Sequence, residues 1–559
     1  MKNVYCLLLL QFYSCLLFTQ ESYSSLTERA LSLMWEAKDT AGYRASLSLY
    51  ETAFERFPDS IDHLGLYKAS VLAGELQELD KAFTYLQPVY EIEEDEYGTP
   101  GWAYVVGEYA NSEYKNLLED PRWEKLTLKA LGRKKKFYQD LKSKREEFLR
   151  VKDRYGINGN LDGKELYQQL QKWNPYLTKS QSDYSISFPV KDTLLTSYFV
   201  HLPDNYNPAK SYPMLIFLHG AVRYNEFADY QTKSILGGWN RFYTEFADKH
   251  EVVLVFPSGS KQFNWMIPDD GFFLIPTIVK QIKQSIHIDD NKIFISGHSN
   301  GATGSFSYLV KQPTLFAGFY GFNTYPKVFT GGTFVENTRN RSFINFSTDQ
   351  DYYYPTAAND TLTALMKALS IDYEDHRYNG FPHWFPAFDE SKPAHQVLFS
   401  DLLKRTRDPF PKEINWEFDD DQYGAIDWLD NIKLDTSQTM AAWHAPVNFR
   451  IREWLDYDDR DSLIVLEVNK KAFNFPRKSG KVEARYKNNT FELKTSRIKS
   501  LSINISPEMV NLDRKVKVFV NGKLYFNRKV GYDKDFLLQS FAENQDRKQL
   551  WVDVIELQL

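Results

Sequence analysis

Residues 292–305 read KIFISGHSNGATGS. Residues 293–296 have strand-forming character and lead into Gly-x-Ser-x-Gly, after which small, helix-compatible residues follow. A strand–turn–helix of this kind puts Ser299 in a sharp turn. Gly297 and Gly301 then remove side chains that would clash there, leaving the hydroxyl exposed above the end of the strand, the geometry of a nucleophile elbow. The motif is short enough to arise by chance, so its weight depends on its surroundings.

Those surroundings are consistent with it. From Tyr184 the chain alternates short apolar strands (SISFPV, TSYFVHL, PMLIFLHG, EVVLVFPSG, KIFISGHS, SFINFST) with helical stretches at residues 277–286 and 361–368. Continuously apolar strands separated by helices predict a mainly parallel sheet covered on both faces. His219-Gly220 closes the strand PMLIFLHG about 80 residues upstream of Ser299, where half of an oxyanion hole is expected. The donors are then the backbone N–H groups of Ala221 and Asn300, with His219 itself structural. INFSTDQDYYYP offers Asp351 as the carboxylate that orients a histidine, with Asp349 as the alternative, and either is also able to cap a turn. YNGFPHWFP places His383 in a loop, His376 precedes it on a strand, and His395 lies on the last helix. The chain order Ser299, Asp351, His383 is that of a strand-borne serine hydrolase triad. Asp269 and Asp270 read as a helix cap before residues 272–286 and not as a second catalytic pair. Trp265, Phe272, Phe273, Tyr352 and Trp384 are candidates for an acyl or aromatic pocket, and core packing accounts for at least half of them.

Residues 184–407 resemble an α/β-hydrolase of the esterase type. They are similar to the feruloyl esterase, poly(hydroxybutyrate) depolymerase and dienelactone hydrolase-like group. The resemblance is carried by FVHLPDNYNPAKSYPMLIFLHG, by DDGFFLIPTIVKQIKQSIHIDDNKIFISGHSNGATGS, and by the loops bearing Asp351 and His383. It spans about two-fifths of the chain. It implies hydrolysis of esters, less often of peptides, with no metal and no organic cofactor. HGAVRY departs from the pattern, because many relatives carry a further glycine after His-Gly.

The flanks have other textures. Residues 4–18 are apolar for roughly 15 residues behind Lys2, short of the ~20 a spanning helix needs, and read with their surroundings as a signal peptide over residues 1–24. Both cysteines, Cys6 and Cys15, fall inside it. A mature chain without cysteine forms no disulfides, and a bacterial export route is expected, periplasmic or secreted, with a lipid anchor on Cys15 as the less favoured form. Residues 25–130 read as paired helices resembling a tetratricopeptide repeat of roughly 34 residues, with a plain helical bundle as the alternative. Helices are expected to break near Pro58, with Asp59 or Ser60 capping the next, and Gly65, Ala69, Gly74 and Ala82 permit close packing. Residues 131–180 form a charged helical linker, KKKFYQDLKSKREEFLRVKDR, whose Glu146, Glu147 and Asp153 interrupt the basic run. The hydrolase segment takes residues 181–408. Residues 409–559 alternate strands and tight turns, predicting an all-β, sandwich-like domain. A hairpin at residues 516–526 is expected to turn on Asn521-Gly522.

The whole is an ordinary globular composition, 43% hydrophobic and 25% charged, with 16% aromatic residues and a net charge of −6. Nucleic acid is not an expected partner at that charge, and no later segment is apolar enough to span a membrane. The expected function is an exported serine esterase acting on a small or carbohydrate-linked ester, with a protein partner for the helical region. A serine peptidase of the prolyl oligopeptidase type is the nearest alternative, although no propeller domain is present. A non-catalytic scaffold with an inactive hydrolase core is another. No candidate acid, base or nucleophile lies in residues 25–150 or 410–559, so neither flank is expected to take part in bond cleavage.

Overall fold

The computed structural model describes residues 21–95, 97–152, 161–191, 194–221, 227–266, 272–460 and 462–559. The candidate signal peptide through residue 20, with both cysteines, therefore lies outside the described residues. So do Asp153 with most of the GINGNLDG turn, residues 222–226 of HGAVRY, and Asp269 and Asp270. The chain divides into two compact units, Met1–Asp140 and Leu141–Leu559.

The first unit is helical. Helices Tyr23–Glu36, Thr40–Arg56, His63–Glu75 and Leu79–Glu91 follow one another, and a longer helix begins at Pro121. The second pair starts 40 residues after the first, a wider spacing than the expected repeat. Asp62, and not Asp59 or Ser60, caps His63–Glu75: its carboxylate accepts from Gly65 N–H at 2.7 Å and from Tyr23 Oη at 2.8 Å. Pro58–Ser60 is taken up in a single 3₁₀ turn, which leaves the cap to the next available carboxylate. Gly65 is required by contact, since an added Cβ would stand 2.4 Å from Tyr23 Oη.

The second unit is built on a twisted sheet of eight strands. These are β1 Asp183–Lys191, β2 Leu194–His201, β3 Tyr212–Leu218, β4 Val253–Pro257, β5 Ile288–Gly297, β6 Gly318–Phe322, β7 Ser342–Gln350 and β8 Tyr373–Pro382. Their spatial order is β1-β2-β4-β3-β5-β6-β7-β8. β2 pairs antiparallel with both its neighbours, and every pair from β4 to β8 is parallel. Alternation along each strand feeds two separate cores. Ile216, Val255, Ile295, Phe319 and Phe343 face one side. Leu215, Leu254, Phe294, Tyr320 and Ile344 face the other, under helices Arg241–His250 and Lys392–Lys404. Both faces are covered, so parallel strands can be apolar throughout.

The C-terminal region is β-rich. It contains β9 Glu413–Phe418, β10 Leu429–Leu434, β11 Arg450–Tyr457, β12 Leu463–Lys471, β13 Gly480–Lys487, β14 Thr490–Ser496, β15 Ile498–Ile505, β16 Val516–Val520, β17 Lys523–Arg528 and β18 Asp553–Gln558. They form a five-stranded sheet, β17-β16-β14-β13-β9, a three-stranded sheet, β10-β15-β18, and a two-stranded ribbon, β11-β12. The expected hairpin is present, with Asn521 at φ 50° and Gly522 at φ 79° between β16 and β17. A helix, Lys534–Asn544, breaks the all-β expectation.

This region is joined to the eight-stranded sheet through a shared apolar core: Trp416, Trp428 and Ile503 belong to the same buried cluster as Ile216 and Phe319. A buried ion network crosses the same boundary. Lys283 Nζ stands 3.1 Å from the carboxylates of Asp290 and Asp546. Arg407 reaches Asp546 at 2.9 Å, and Arg547 reaches Asp290 at 2.8 Å. Such groups tolerate burial only because every cation in the network faces a carboxylate.

Candidate active site

Ser299 follows β5 and caps the helix Asn300–Lys311 with φ 56° and ψ −120°, a backbone region that few residues other than glycine adopt. The glycines flanking it are dictated by contact. A Cβ on Gly301 would stand 1.8 Å from the carbonyl oxygen of Leu218 at the end of β3, and one on Gly297 would stand 2.3 Å from the backbone of Gly301. The helix is thereby pressed against two strand ends, and the serine side chain is left above them.

β7 ends at Gln350, and Asp351 follows in a buried position. β8 ends at Pro382, and His383 follows. The structure brings the three side chains together. His383 Nε2 lies 2.8 Å from Ser299 Oγ, and His383 Nδ1 lies 2.7 Å from Asp351 Oδ1. Asp351 is held in turn by Tyr353 N–H on Oδ1 at 2.8 Å and by Asn323 Nδ2 on Oδ2 at 2.9 Å. Asp349 is elsewhere engaged, accepting from the Gly380 N–H at 2.7 Å.

Neither Asn323 nor His298 is evident as a functional residue in the sequence. His298 donates from Nε2 to the backbone carbonyl of His383 at 2.8 Å, fixing the loop that carries the base. Burial, and then the neighbouring His383, hold its pKa down at about 3, so it stays neutral. The only sequence signal for this role is its place inside the Gly-x-Ser-x-Gly motif. Tyr353 donates its hydroxyl to Asn300 Oδ1 at 2.8 Å, tying the residue after the serine to the segment bearing Asp351.

For an oxyanion, Asn300 opens a helix, and its N–H belongs to the first turn that lacks intrahelical acceptors. Gly220 runs close by, since a Cβ there would stand 3.4 Å from the Ser299 Cβ. Ala221 follows, exposed, beside a cavity of about 280 Å³ also lined by Phe217, Gln231, Ile235 and Phe256. His219 is structural: its Nε2 accepts from Gly259 N–H at 3.0 Å, and burial lowers its pKa to about 4. His376 is on β8 and His395 on the helix Lys392–Lys404, both away from Ser299 in their contacts.

The aromatic candidates divide by burial. Trp265 and Phe272 are fully buried, which removes Trp265 from any substrate pocket. Its ring fills the space that Gly259 and Gly304 leave, where a Cβ would come within 2.9 and 2.6 Å of ring atoms. Phe273, Tyr352 and Trp384 are exposed. No group of described residues is arranged to hold a metal ion.

The model of the family described as "Putative esterase" matches residues 196–327, from β2 past the elbow and β6. Across those residues, which fall within the eight-stranded sheet unit, the chain is similar to that family. Among solved structures, a thermostable esterase is 20% identical, covering 40% of this chain and 64% of its own, with a TM-score of 0.34. A "putative dipeptidyl aminopeptidase IV" from Bacteroides ovatus is 14% identical, covering 42% of this chain and 37% of its own, TM-score 0.34. An S-formylglutathione hydrolase from Staphylococcus aureus is 14% identical, covering 39% of this chain and 99% of its own, TM-score 0.30. The chain thus spans less than two-thirds of the length of the first two. No curated protein matches it. The matched residues include Ala221, Ser299 and Asn300, while Asp351 and His383 lie beyond the match.

Proposed function

We propose that the protein hydrolyses carboxylic esters through Ser299, His383 and Asp351. The observation that carries this reading is the continuous hydrogen-bond path from Ser299 Oγ through His383 to Asp351. With Nδ1–H donated to Asp351, the His383 tautomer leaves Nε2 free to accept a proton. His383 takes the proton of Ser299 as Oγ attacks the ester carbonyl carbon. The N–H groups of Ala221 and Asn300 hold the oxyanion. Collapse of the tetrahedral intermediate expels the alcohol, which leaves with the proton from His383. Water then attacks the acyl-enzyme, giving its proton to His383, and the carboxylic acid departs as Ser299 recovers its proton. The roles need no metal and no cofactor.

The substrate is proposed to be a small or carbohydrate-linked ester met outside the cytoplasm, from the signal-like character of residues 1–24. Among the described residues no helix is long and apolar enough to cross a membrane. The helical region is proposed to dock a protein partner. The test is a panel of short-chain, long-chain and feruloyl esters beside peptide amides. Ester turnover with little amide turnover is expected. Faster cleavage of amides than of esters would overturn the reading in favour of a peptidase.

A further inference from the structure

The mouth of the site is aromatic, and one of its rings comes from the C-terminal region. Tyr352 follows Asp351 directly, is 38% exposed, and sets its ring 5.3 Å from that of His383. On Tyr352 rests Tyr457, the last residue of β11, with ring centroids 5.8 Å apart at 70°. Tyr457 is 36% exposed, so the pair is not a sealed core contact. The β11-β12 ribbon that delivers it is fastened to the eight-stranded sheet unit three residues earlier. There Trp454 meets Tyr325 at 5.9 Å and Tyr354 at 6.3 Å, both edge to face. At the root of the ribbon Ile451 is buried.

We infer that the β11-β12 ribbon is a wall of the substrate cleft, and that Tyr457 determines specificity by holding a ring-bearing substituent of the ester. This rests on the reading of Ser299 as nucleophile. A T-shaped aromatic pair leaves a flat face open, and such a face stacks on an aryl ring, or on the apolar face of a sugar ring, better than on a short alkyl group. Besides the charged Arg452, Glu453, Asp456, Asp458 and Asp459, the ribbon exposes Leu463, the cross-strand partner of Tyr457, and Val465 and Leu466. The two tyrosines with Leu463 form an apolar patch placed next to the base. Tyr457 makes its contact through Tyr352 and touches no member of the triad, which makes it a residue of recognition and not of chemistry.

The experiment measures release of acid from phenyl acetate and from ethyl acetate by the full chain and by Tyr457→Ala, Tyr457→Gln and Tyr457→Phe. In the Ala and Gln variants KM for phenyl acetate is expected to rise roughly tenfold with kcat little changed, matching the loss of a ring contact. Ethyl acetate should keep its kcat/KM within about twofold, because it gains nothing from a remote ring. The Phe variant should behave as the parent on both. Unchanged constants on both esters in Ala or Gln, or equal losses on both, would overturn the role of Tyr457. A parent that hydrolyses neither ester would instead overturn the Ser299 reading, and this inference with it.

Discussion

Asp349 and Asp351 leave the same strand end two residues apart and serve different partners. Asp351 accepts from His383 Nδ1 at 2.7 Å, whereas Asp349 accepts from the backbone of Gly380, a residue at φ 86° in β8. Asp351→Asn is therefore expected to lower kcat by about 10⁴, because the amide stabilises the wrong imidazole tautomer. Asp349→Asn should leave kcat within a few-fold and lower thermal stability slightly. Steady-state kinetics of both variants on one short ester decide it, and the reverse ranking would move the acid to Asp349.

Gly301 tests the elbow itself. Its missing side chain lets the helix Asn300–Lys311 approach the carbonyl of Leu218. Gly301→Ala must push the helix away from β3 and displace Ser299 from His383. Activity should fall on the order of 10²-fold or more, as misplacement by about an ångström does. Parental kcat in a folded Gly301→Ala protein would show that the close approach is not needed.

The C-terminal region should be inseparable from the eight-stranded sheet and its helices. Asp546 balances Lys283 and Arg407, all of them buried. Asp546→Ala leaves buried Arg407 without its carboxylate and Lys283 with Asp290 alone, and is expected to cost roughly 3–5 kcal/mol in urea unfolding. Loss of less than about 1 kcal/mol would mean the network is not a joint.

Three buried histidines set the acid limit. Burial lowers His219 and His395 to about 4 and His298 to about 3. Each takes up a proton near pH 6.5 when the chain unfolds. Between that value and about 4 the unfolded state binds more protons. Stability should then fall as pH drops below 6.5, by up to about 1.4 kcal/mol per pH unit for each histidine. His201 has the opposite sign. Burial depresses it, but hydrogen bonds to Asp183 and Asp248 outweigh that and raise its pKa. Its contribution is full below 6.5 and lost as pH rises through the raised value. Urea midpoints at about pH 7 and about pH 5 check the acid limb, and equal midpoints would contradict it.

Much of the hydrolase was legible because its signals are local. β1 to β5 and β7 are short apolar runs, and the Gly-x-Ser-x-Gly turn needs its glycines for reasons of contact that any sequence obeys. β6, GFYGF, has no strand signature because two of its five residues are glycines, and its neighbours in the sheet make it a strand. β8 lies at the sheet edge and carries Glu374, Asp375, His376 and Arg377, so it lacks an apolar pattern. Trp265 shows that aromatic identity near a motif does not reveal burial. The partnership of His298 with the His383 loop, and of Tyr457 with Tyr352, joins residues 85 and 105 positions apart. No periodicity encodes such pairs.

The central claim is that Ser299 is the nucleophile, and the most direct measurement combines turnover with covalent labelling. Purified parent and Ser299→Ala proteins are assayed on a short ester, and each is treated with a fluorophosphonate and digested for peptide mass analysis. The account predicts a single phosphonylated serine at position 299 in the parent. It predicts no labelling in the variant and a fall in kcat on the order of 10⁶ with the fold unchanged. Turnover by Ser299→Ala within about tenfold of the parent, or labelling of the parent at another serine, would contradict it.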